Sequence, residues 1–142
     1  MQIKFKKLCN EAIIPEYQTA GSAGMDIRTI ESYKLMPGER KIFQTGLAVA
    51  VEDGYEVQVR ARSGLSAKCG VTVINGVGTI DADYRGQIGV ALVNLGNSDM
   101  YINAGDRIAQ LVVNKIEQPE IIVVDELGET IRGEGGFGST DR

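Results

Sequence analysis

The alternation of apolar and polar residues between positions 55 and 62 is the feature that most restricts how this chain can fold. Tyr55, Val57, Val59 and Ala61 alternate with glutamate, glutamine and arginine side chains. Successive side chains of a β-strand point to opposite faces of a sheet, so a period of two separates an apolar face from a polar face. This segment therefore predicts a strand that is buried on one side only.

Five further segments are short, rich in Val and Ile, and bounded by Gly, Pro, Asn or Asp, which predicts strands between turns. They are residues 2–8, 41–51, 86–95, 107–116 and 120–125. Segment 86–95 is apolar at nearly every position, which predicts a strand covered on both faces, in the core or at a subunit interface. A single helix is predicted over residues 63–69, with Ser63 as its N-cap and Gly70 just beyond its end.

Many short strands with glycine-rich turns favour an all-β domain such as a sandwich, a jelly roll or a small barrel. The length of 142 residues fits one domain, because a second core of useful size would need roughly 100 more residues. We expect a β domain over residues 1–127 and a mobile C-terminal arm over residues 128–142, since the arm is rich in glycine and holds little that could form a core.

Composition excludes several classes of function. The chain contains no histidine, which excludes Ser-His-Asp and Cys-His nucleophilic systems and every histidine-ligated metal centre. Cys9 and Cys69 form no CxxC pair, so neither a disulfide framework nor a zinc site is predicted. Catalysis must therefore use carboxylates, hydroxyls, amides, arginines or a borrowed metal ion.

Charge and hydropathy indicate where the protein works and what it binds. The net charge of -4 argues against a general nucleic-acid binder, which would show clustered Lys and Arg. No segment reaches the ~18 to 20 apolar residues that span a bilayer, and residues 1–8 do not resemble a signal peptide. We expect a soluble cytoplasmic protein with no nucleic-acid or membrane partner, whose few local arginines could bind a small anion.

Residues 62–65 form a first candidate site, where the alternating strand gives way to the predicted helix. Arg62, Ser63 and the first helical amides could bind an anion, because a helix begins with free N–H groups and a positive dipole end. An ordinary N-cap beside a surface arginine is the plainer interpretation, and this segment taken alone favours it.

Residues 75–86 form a second candidate site. Asn75-Gly76 has the spacing of a tight hairpin, and Asp81 and Asp83 precede Tyr84. An Asx turn explains these residues without any function. If the segment is functional, one aspartate is suited to act as a general base toward water, and Tyr84 is suited to pack flat against a sugar.

The glycine-rich residues 133–138 match the pattern GxGxxG, but only four residues follow them, so no dinucleotide-binding helix can begin there. Two interpretations stay open, a frayed terminus and a lid that closes over a ligand. The tail around this segment supplies an arginine (Arg132), an aromatic ring (Phe137) and hydroxyl groups (Ser139, Thr140), which bind phosphates and stack on bases.

In this order, residues 20–26, 62–65, 75–86, 105–111 and 132–140 resemble the five motifs of the trimeric dUTP diphosphatase (dUTPase) family. The resemblance implies a distorted jelly roll of the β-clip, dUTPase-like type with one short helix. It also implies a homotrimer with three active sites between subunits, each closed by a C-terminal arm. The implied reaction is the Mg²⁺-dependent hydrolysis of dUTP to dUMP and pyrophosphate, which supplies dUMP for thymidylate synthesis and keeps uracil out of DNA.

The resemblance also implies a role for individual residues. Asp81 would hold and deprotonate the water that attacks the α-phosphorus, and Tyr84 would pack under the deoxyribose and exclude a 2′-hydroxyl. Asp26 would help to orient magnesium through water, while the ion itself rides mainly on the triphosphate. The implied substrate-binding residues are Arg62, Ser63, Gly64, Asn75, Gly78, Thr79, Ile80, Tyr84, Gln110, Arg132, Phe137, Gly138, Ser139 and Thr140.

Three positions depart from the family pattern, and other functions stay open. Met25 stands where a tyrosine is common, Ala61 replaces a frequent proline, and Asp141 stands where glycine is usual. A dCTP deaminase of the same fold would need a glutamate facing the cytosine amine, and residues 75–84 contain none. A non-catalytic trimeric β-protein, or a second role in protein binding, would be the alternatives from another class.

Overall fold

The computed structural model describes residues 1–136 and is mostly β with one short helix, as the sequence predicts. In chain order the elements are β1 (Lys4–Lys7), β2 (Glu16–Tyr17), β3 (Met25–Arg28), β4 (Tyr33–Leu35), β5 (Arg40–Gln44), β6 (Leu47–Ala50), β7 (Tyr55–Arg60), α1 (Ser63–Cys69), β8 (Val71–Val73), β9 (Val77–Ile80), β10 (Gly89–Asn94), β11 (Met100–Ile102) and β12 (Arg107–Lys115).

The strands form antiparallel sheets around one apolar core. A five-stranded sheet has the order β2-β3-β12-β7-β9, and a three-stranded sheet has the order β5-β10-β8. Strands β1 and β6 form one further pair, and β4 and β11 another. Both larger sheets contribute fully buried side chains to the core, among them Val57, Leu111, Phe43 and Leu92.

Strand β7 confirms the period of two that predicted it. Val57 and Val59 are buried, whereas the residues between them are only partly buried. On the polar face, the Arg60 Nη2 donates to Gln58 Oε1 at 2.6 Å, and the Gln58 Nε2 donates to Glu56 Oε1 at 2.5 Å. Side-chain hydrogen bonds thus link the residues of the polar face in series and end at Arg60, two residues before Arg62.

Two predicted strands differ in detail from the structure. Segment 41–51 is divided into β5 and β6 by a turn at Gly46, whose φ of 68° favours glycine. A side chain at Gly46 would also begin 2.6 Å from the Cys9 Sγ, so the turn packs closely on the N-terminal segment. In segment 86–95, Gly89 is exposed while residues 92–94 are buried, so a single chain covers both faces only in the second half of β10, and cover by a neighbouring subunit stays a prediction.

The helix has its predicted bounds but not its predicted cap. Gly70 ends α1 in the left-handed region at φ 70°, and its N–H bonds the Leu65 and Ser66 carbonyls. The prediction of Ser63 as N-cap is wrong, because Arg62 holds the extended N-cap position and makes no side-chain cap bond. Its guanidinium contacts Asp26 of β3 and the Arg107 carbonyl of β12 instead. Ser63 is exposed in the first turn.

The hairpin prediction at Asn75-Gly76 is also wrong. The turn itself is present, with Gly76 at φ 73° and its N–H bonded to the Val73 carbonyl at 3.1 Å. However, β8 pairs with β10 and β9 pairs with β7, so the turn carries the chain from one sheet to another. Each strand buries its apolar side chains against a distant partner, which local turn signals do not specify.

The strand predicted over residues 120–125 is absent. Ile121 and Val123 are 92% and 97% exposed, and β12 is the last strand in the described residues. A strand needs a partner for its backbone hydrogen bonds, and no strand of the described residues lies beside this segment. The predicted boundary between domain and arm at residue 127 stays a prediction. No helix in residues 1–136 is long and apolar enough to cross a membrane.

Candidate active site

A cavity of about 550 Å³ opens beside the start of α1 and the β3 and β12 strands, and three arginines line it. These are Arg28, Arg62 and Arg107, and we refer to this space as the arginine cavity. Arg28 and Arg107 are register partners on adjacent strands, and Arg62 is the N-cap of the helix. Three guanidinium groups at one opening favour binding of a phosphate-bearing anion.

Asp26 orders the guanidinium groups of this cavity. Its Oδ1 lies 3.2 Å from the Arg62 Nε and its Oδ2 lies 3.0 Å from the Arg107 Nη1. The Arg62 Nη1 also donates to the Arg107 carbonyl at 2.9 Å. Only 14% of the Asp26 side chain is exposed, so its charge is better shielded from water than a surface carboxylate. Both arginines are therefore held in one orientation before any ligand binds.

Gln110 braces the chain just before Arg62. Strands β3, β12 and β7 are neighbours, and Asp26, Gln110 and Arg60 lie opposite one another across them. The Gln110 Nε2 donates to the Ala61 carbonyl at 3.0 Å. A side chain at Gly24 would begin 2.5 Å from the Gln110 Oε1, so the Gln110 amide would have to move to admit one. Gln110 thus supports the Arg62 backbone at the edge of the arginine cavity.

Ser63 and Gly64 form the exposed first turn of α1, directly after Arg62. A side chain at Gly64 would meet no atom within 4 Å, so this turn is open to solvent. Leu65, the next residue, lines the arginine cavity. The structure therefore brings together Asp26, Arg62, Ser63, Gly64 and Gln110, which come from three separate motifs.

A second cavity, of about 190 Å³, lies beyond the end of β9, and we refer to it as the aspartate cavity. Asp81 and Tyr84 both line it, as the resemblance requires of a base and a sugar platform. The remaining lining residues are Thr79, Ile80, Gln87, Ile88 and Gly89.

A tight turn shapes the aspartate cavity. The Tyr84 N–H donates to the Asp81 carbonyl at 3.1 Å, and the Tyr84 Oη donates to the Gln87 carbonyl at 3.1 Å. The Arg85 Nη1 donates to the Ala82 and Tyr84 carbonyls. Asp81 is exposed, so its carboxylate is accessible to water and to a ligand.

Asn75 and Gly78 lie at the N-terminal end of β9, whereas Asp81 follows the C-terminal end of the same strand. A side chain at Gly78 would begin 3.3 Å from the Asn75 Nδ2 and 3.1 Å from the Val59 Cβ. The Asn75 amide therefore lies against the backbone of Gly78, which belongs to β9. Neither residue is itself a lining residue.

One chain does not bring the two cavities together. On the β7–β9 pair, Ile80 lies opposite Val57 and Val77 lies opposite Arg60. Asp81 therefore lies beyond one end of the pair and Arg62 beyond the other. At about 3.3 Å per residue, this register separates them by roughly 20 Å.

The C-terminal site residues cannot be placed in either cavity. Arg132 is exposed in a turn where its Nε donates to the Gly135 carbonyl at 2.7 Å, and it lines neither cavity. Four further predicted residues lie outside the described residues, namely Phe137, Gly138, Ser139 and Thr140.

The groups with clearly shifted pKa values lie around β4, away from the walls of both cavities. A hydrogen bond to Glu39 raises the pKa of Tyr33, and the same bond lowers the pKa of Glu39. A hydrogen bond to Asp99 raises the pKa of Lys34. These pairs are exposed, and none of them belongs to the candidate site.

Sequence reasoning missed several lining residues. Arg28 and Arg107 belong to the arginine cavity, and Gln87 and Gly89 belong to the aspartate cavity. Arg28 follows Asp26 by two positions, so the period of a strand would have assigned it to the same face. Gln87 gave no such signal, because it lies in an irregular segment.

No resident metal cage is present in the described residues. Within residues 1–136, no three acidic, cysteine or histidine side chains lie together. Asp26 has one arginine on each carboxylate oxygen, although each oxygen keeps a further lone pair for a hydrogen bond. This donor set fits a Mg²⁺ ion that arrives on a phosphate ligand and keeps its own waters.

Known proteins are similar to this chain in both sequence and fold. The model of the dUTPase family matches residues 10–141. The deoxyuridine 5′-triphosphate nucleotidohydrolase of Nautilia profundicola is 54% identical over 142 residues, which is 100% of both chains. A dUTPase of Staphylococcus bacteriophage 80alpha with dUPNHPP is 30% identical, with a TM-score of 0.91 over 98% of each chain.

A mutant dUTPase from phage phi11 of S. aureus, which coordinates a structural Mg(II) ion, is 28% identical with a TM-score of 0.83. That likeness covers 89% of this chain and 98% of the phage protein. Because the family match spans nearly the whole sequence and a full-length relative is more than half identical, this chain belongs to the dUTPase family and is an enzyme that hydrolyses dUTP.

Proposed function

We propose that the enzyme splits dUTP into dUMP and pyrophosphate by attack of an Asp81-activated water on the α-phosphorus. The observation that carries this proposal is that Asp81 and Tyr84 line the same cavity of about 190 Å³. In a nucleotide, the α-phosphate is attached directly to the sugar. A general base beside an aromatic ring is therefore suited to face the α-phosphate while the ring packs against the sugar. The bound dUPNHPP of the 80alpha relative supports the choice of substrate.

Asp81 supplies the base in this mechanism. Its exposed carboxylate accepts a proton from water, the water oxygen bonds the α-phosphorus, and pyrophosphate leaves with the electron pair of the broken P–O bond. A positioned general base contributes about 10² to 10⁴-fold to a rate. Asp81 is therefore the residue on which turnover depends most.

The aspartate cavity selects the nucleoside. The Tyr84 ring lies under the deoxyribose and leaves no room for a 2′-hydroxyl. Asn75, Gly78, Thr79 and Ile80 offer main-chain and amide groups to the uracil edge, and their closeness excludes the thymine methyl. A site that hydrogen-bonds its substrate rejects poorly matched bases strongly, because buried polar groups would lose their partners.

The arginine cavity receives the triphosphate. Arg62 is pre-oriented by Asp26, and Ser63 and Gly64 present their exposed backbone beside it, with Gln110 supporting the strand behind. The substrate would be the Mg²⁺ complex of dUTP, in which the ion would neutralise part of the phosphate charge. Asp26 would accept a hydrogen bond from a magnesium-bound water. Phosphoryl transfer depends chiefly on such alignment and charge stabilisation.

A complete site requires more than one chain, which supports a homotrimer with active sites between subunits. Asp81 and Arg62 lie roughly 20 Å apart along one sheet, as its register requires, so a neighbour must supply one of them. The segment after β12 supports the same assembly, because Ile121, Val123 and Leu127 are at least 89% exposed in one chain and would gain from cover by a neighbour.

The arm over residues 128–142 would then close the site. Arg132, Gly138, Ser139 and Thr140 would bind the β- and γ-phosphates, and Phe137 would stack on the uracil. In the cell, the reaction supplies dUMP for thymidylate synthesis and keeps uracil out of DNA. The two free cysteines of the described residues fit a reducing, cytoplasmic setting.

A substrate panel tests the reaction. Purified enzyme with Mg²⁺ is given dUTP, dCTP, dTTP and UTP in turn, and pyrophosphate and ammonia are recorded. We expect pyrophosphate from dUTP in strong preference to the other three. Release of ammonia from dCTP would show that the enzyme is a deaminase instead. If neither product appeared with any of the four nucleotides, the protein would be a non-catalytic trimeric scaffold.

A mixing experiment tests the shared site. Asp81→Asn and Arg62→Ala are each expected to be nearly inactive as pure proteins. If one chain supplies Asp81 and another supplies Arg62, co-refolded mixtures contain some sites with neither change. Activity regained on mixing would support an intersubunit site, whereas no recovery in trimers shown to be mixed by mass spectrometry would contradict it.

A further inference from the structure

We propose that Gly86, Gln87 and Gln44 are positioning residues, which hold the Tyr84 ring in place and thereby set how strongly the enzyme prefers dUTP to UTP. The inference rests on the proposed placement of the deoxyribose on Tyr84. It extends the sugar site from one aromatic ring to the backbone and amide contacts that orient that ring.

Gly86 provides the space that the ring occupies. A side chain at Gly86 would begin 2.5 Å from the Tyr84 Cζ and closer still to the Tyr84 Oη. The backbone of Gly86 does not lie in the left-handed region, so alanine is acceptable there on conformational grounds. The Tyr84 ring is therefore what excludes a side chain at position 86.

Gln87 fixes the end of the ring. The Tyr84 Oη donates to the Gln87 carbonyl at 3.1 Å. Tyr84 is 46% exposed, so packing alone does not determine where the ring points. The contact with Gly86 and the bond to Gln87 together select one orientation.

Gln44 anchors Gln87 in turn. The Gln87 Nε2 donates to the Gln44 Oε1 at 2.7 Å in a partly buried position. Gln44 ends β5, where its N–H donates to the Glu31 Oε2 at 2.7 Å and its carbonyl accepts from the Ile30 N–H at 3.0 Å. The loop that carries Tyr84 is thus tied to the three-stranded sheet, which is part of the rigid core.

A small shift of the ring would have a large effect on sugar selection. The ring excludes a 2′-hydroxyl only if it lies close under the ribose, and a misplacement of about 1 Å can change a rate by about 10²-fold. Disturbing any of the three contacts is therefore expected to lower the ratio of kcat/KM for dUTP to kcat/KM for UTP.

The test compares kcat/KM for dUTP and UTP in Gly86→Ala, Gln44→Ala and Tyr84→Ala. We expect Gly86→Ala to reduce the dUTP-to-UTP ratio by about tenfold or more, and Gln44→Ala to reduce it by about fivefold, as the loss of one neutral hydrogen bond suggests. The Tyr84 ring ends in solvent and can swing aside, so Gly86→Ala should fold, which thermal unfolding checks. Gln2→Ala, an exposed glutamine outside the aspartate cavity, is the matched control.

A double-mutant cycle separates positioning from general damage. If Gly86 and Gln44 act through the ring, neither change alters the ratio further in a Tyr84→Ala background. An unchanged ratio in Gly86→Ala and Gln44→Ala, with a collapsed ratio in Tyr84→Ala, would overturn the positioning role and leave the sugar platform intact. An unchanged ratio in Tyr84→Ala itself would overturn the sugar platform and this inference with it.

Discussion

The arginine cavity and the aspartate cavity are built by different physical means. In the arginine cavity, charges hold one another across three neighbouring strands, with Asp26 between Arg62 and Arg107. Around the aspartate cavity, packing depends on missing side chains, because Gly86 leaves room for the Tyr84 ring and Gly78, on the strand that leads to Asp81, leaves room for the Asn75 amide. The first cavity should therefore respond to changes of charge, and the second to changes of volume.

Two aspartates give the sharpest test of this difference, and Asp81→Asn has the largest expected effect. We expect kcat for dUTP to fall by about 10² to 10⁴-fold, because the general base is lost. The thermal unfolding midpoint should stay unchanged, since Asp81 is exposed. Pyrophosphate release and a melting curve measure the two quantities. Asp83→Asn, also exposed and outside the cavity wall, should keep wild-type turnover within a few fold.

Asp26→Asn, unlike Asp81→Asn, should lower the stability of the fold. The change removes a charge that faces two guanidinium groups, and hydrogen bonds to charged groups contribute about 1.5 to 3 kcal/mol each, less where solvent screens them. We expect the free energy of unfolding to fall by about 1 to 3 kcal/mol in denaturant titrations at one fixed protein concentration. A variant as stable as the wild type would show that the ion pairs do not hold the arginine cavity together.

Gly78→Ala tests how much room is left on β9, the strand that leads to Asp81. The added methyl would lie 3.1 Å from the Val59 Cβ and 3.3 Å from the Asn75 Nδ2. Such overpacking costs about 1 to 3 kcal/mol, and KM for dUTP should rise because Asn75 is displaced. Gly21→Ala, which meets no atom within 4 Å, is the stability control. Equal stability of the two variants would show that the Gly78 contacts relax freely.

Salt should have the smallest effect and should act on the arginine cavity alone. Raising ionic strength from about 0.01 M to about 1 M shortens the Debye length from about 30 Å to about 3 Å. KM for dUTP should rise a few fold, because Arg62 and Arg107 are partly exposed. The dUTP-to-UTP ratio of kcat/KM should stay constant, since both nucleotides carry the same triphosphate. A ratio that changes with salt would mean that charge also controls the sugar site.

Local patterns predicted some elements well and others poorly. The period of two predicted β7, and Gly70 predicted the end of α1, because both depend on residues close in sequence. The hairpin at Asn75-Gly76 was wrong, because β8 and β9 each pair with a strand far away in sequence. The strand predicted at 120–125 is absent from the single chain, because a run of Ile and Val favours a strand but cannot supply the partner that it needs.

In the site, too, contacts between residues far apart in sequence could not be predicted. Motif order identified Asp81, Tyr84, Arg62 and Asp26 as chemically important residues, and the structure locates each at a cavity or in an ion pair. It gave no sign of the hydrogen bond between the side-chain amides of Gln87 and Gln44, which lie 43 residues apart in the sequence. Contacts of this kind leave no periodic trace in a sequence.

Composition, local periodicity and motif order were enough to predict the β class, the single short helix, the exclusion of histidine chemistry and the family. The choice of strand partners, the position of Asp26 between two arginines, and the placement of Asp81 and Arg62 at opposite ends of one strand pair became visible in the folded chain. The reason is that pairing and burial depend on contacts between distant segments, whose free energies no local pattern records.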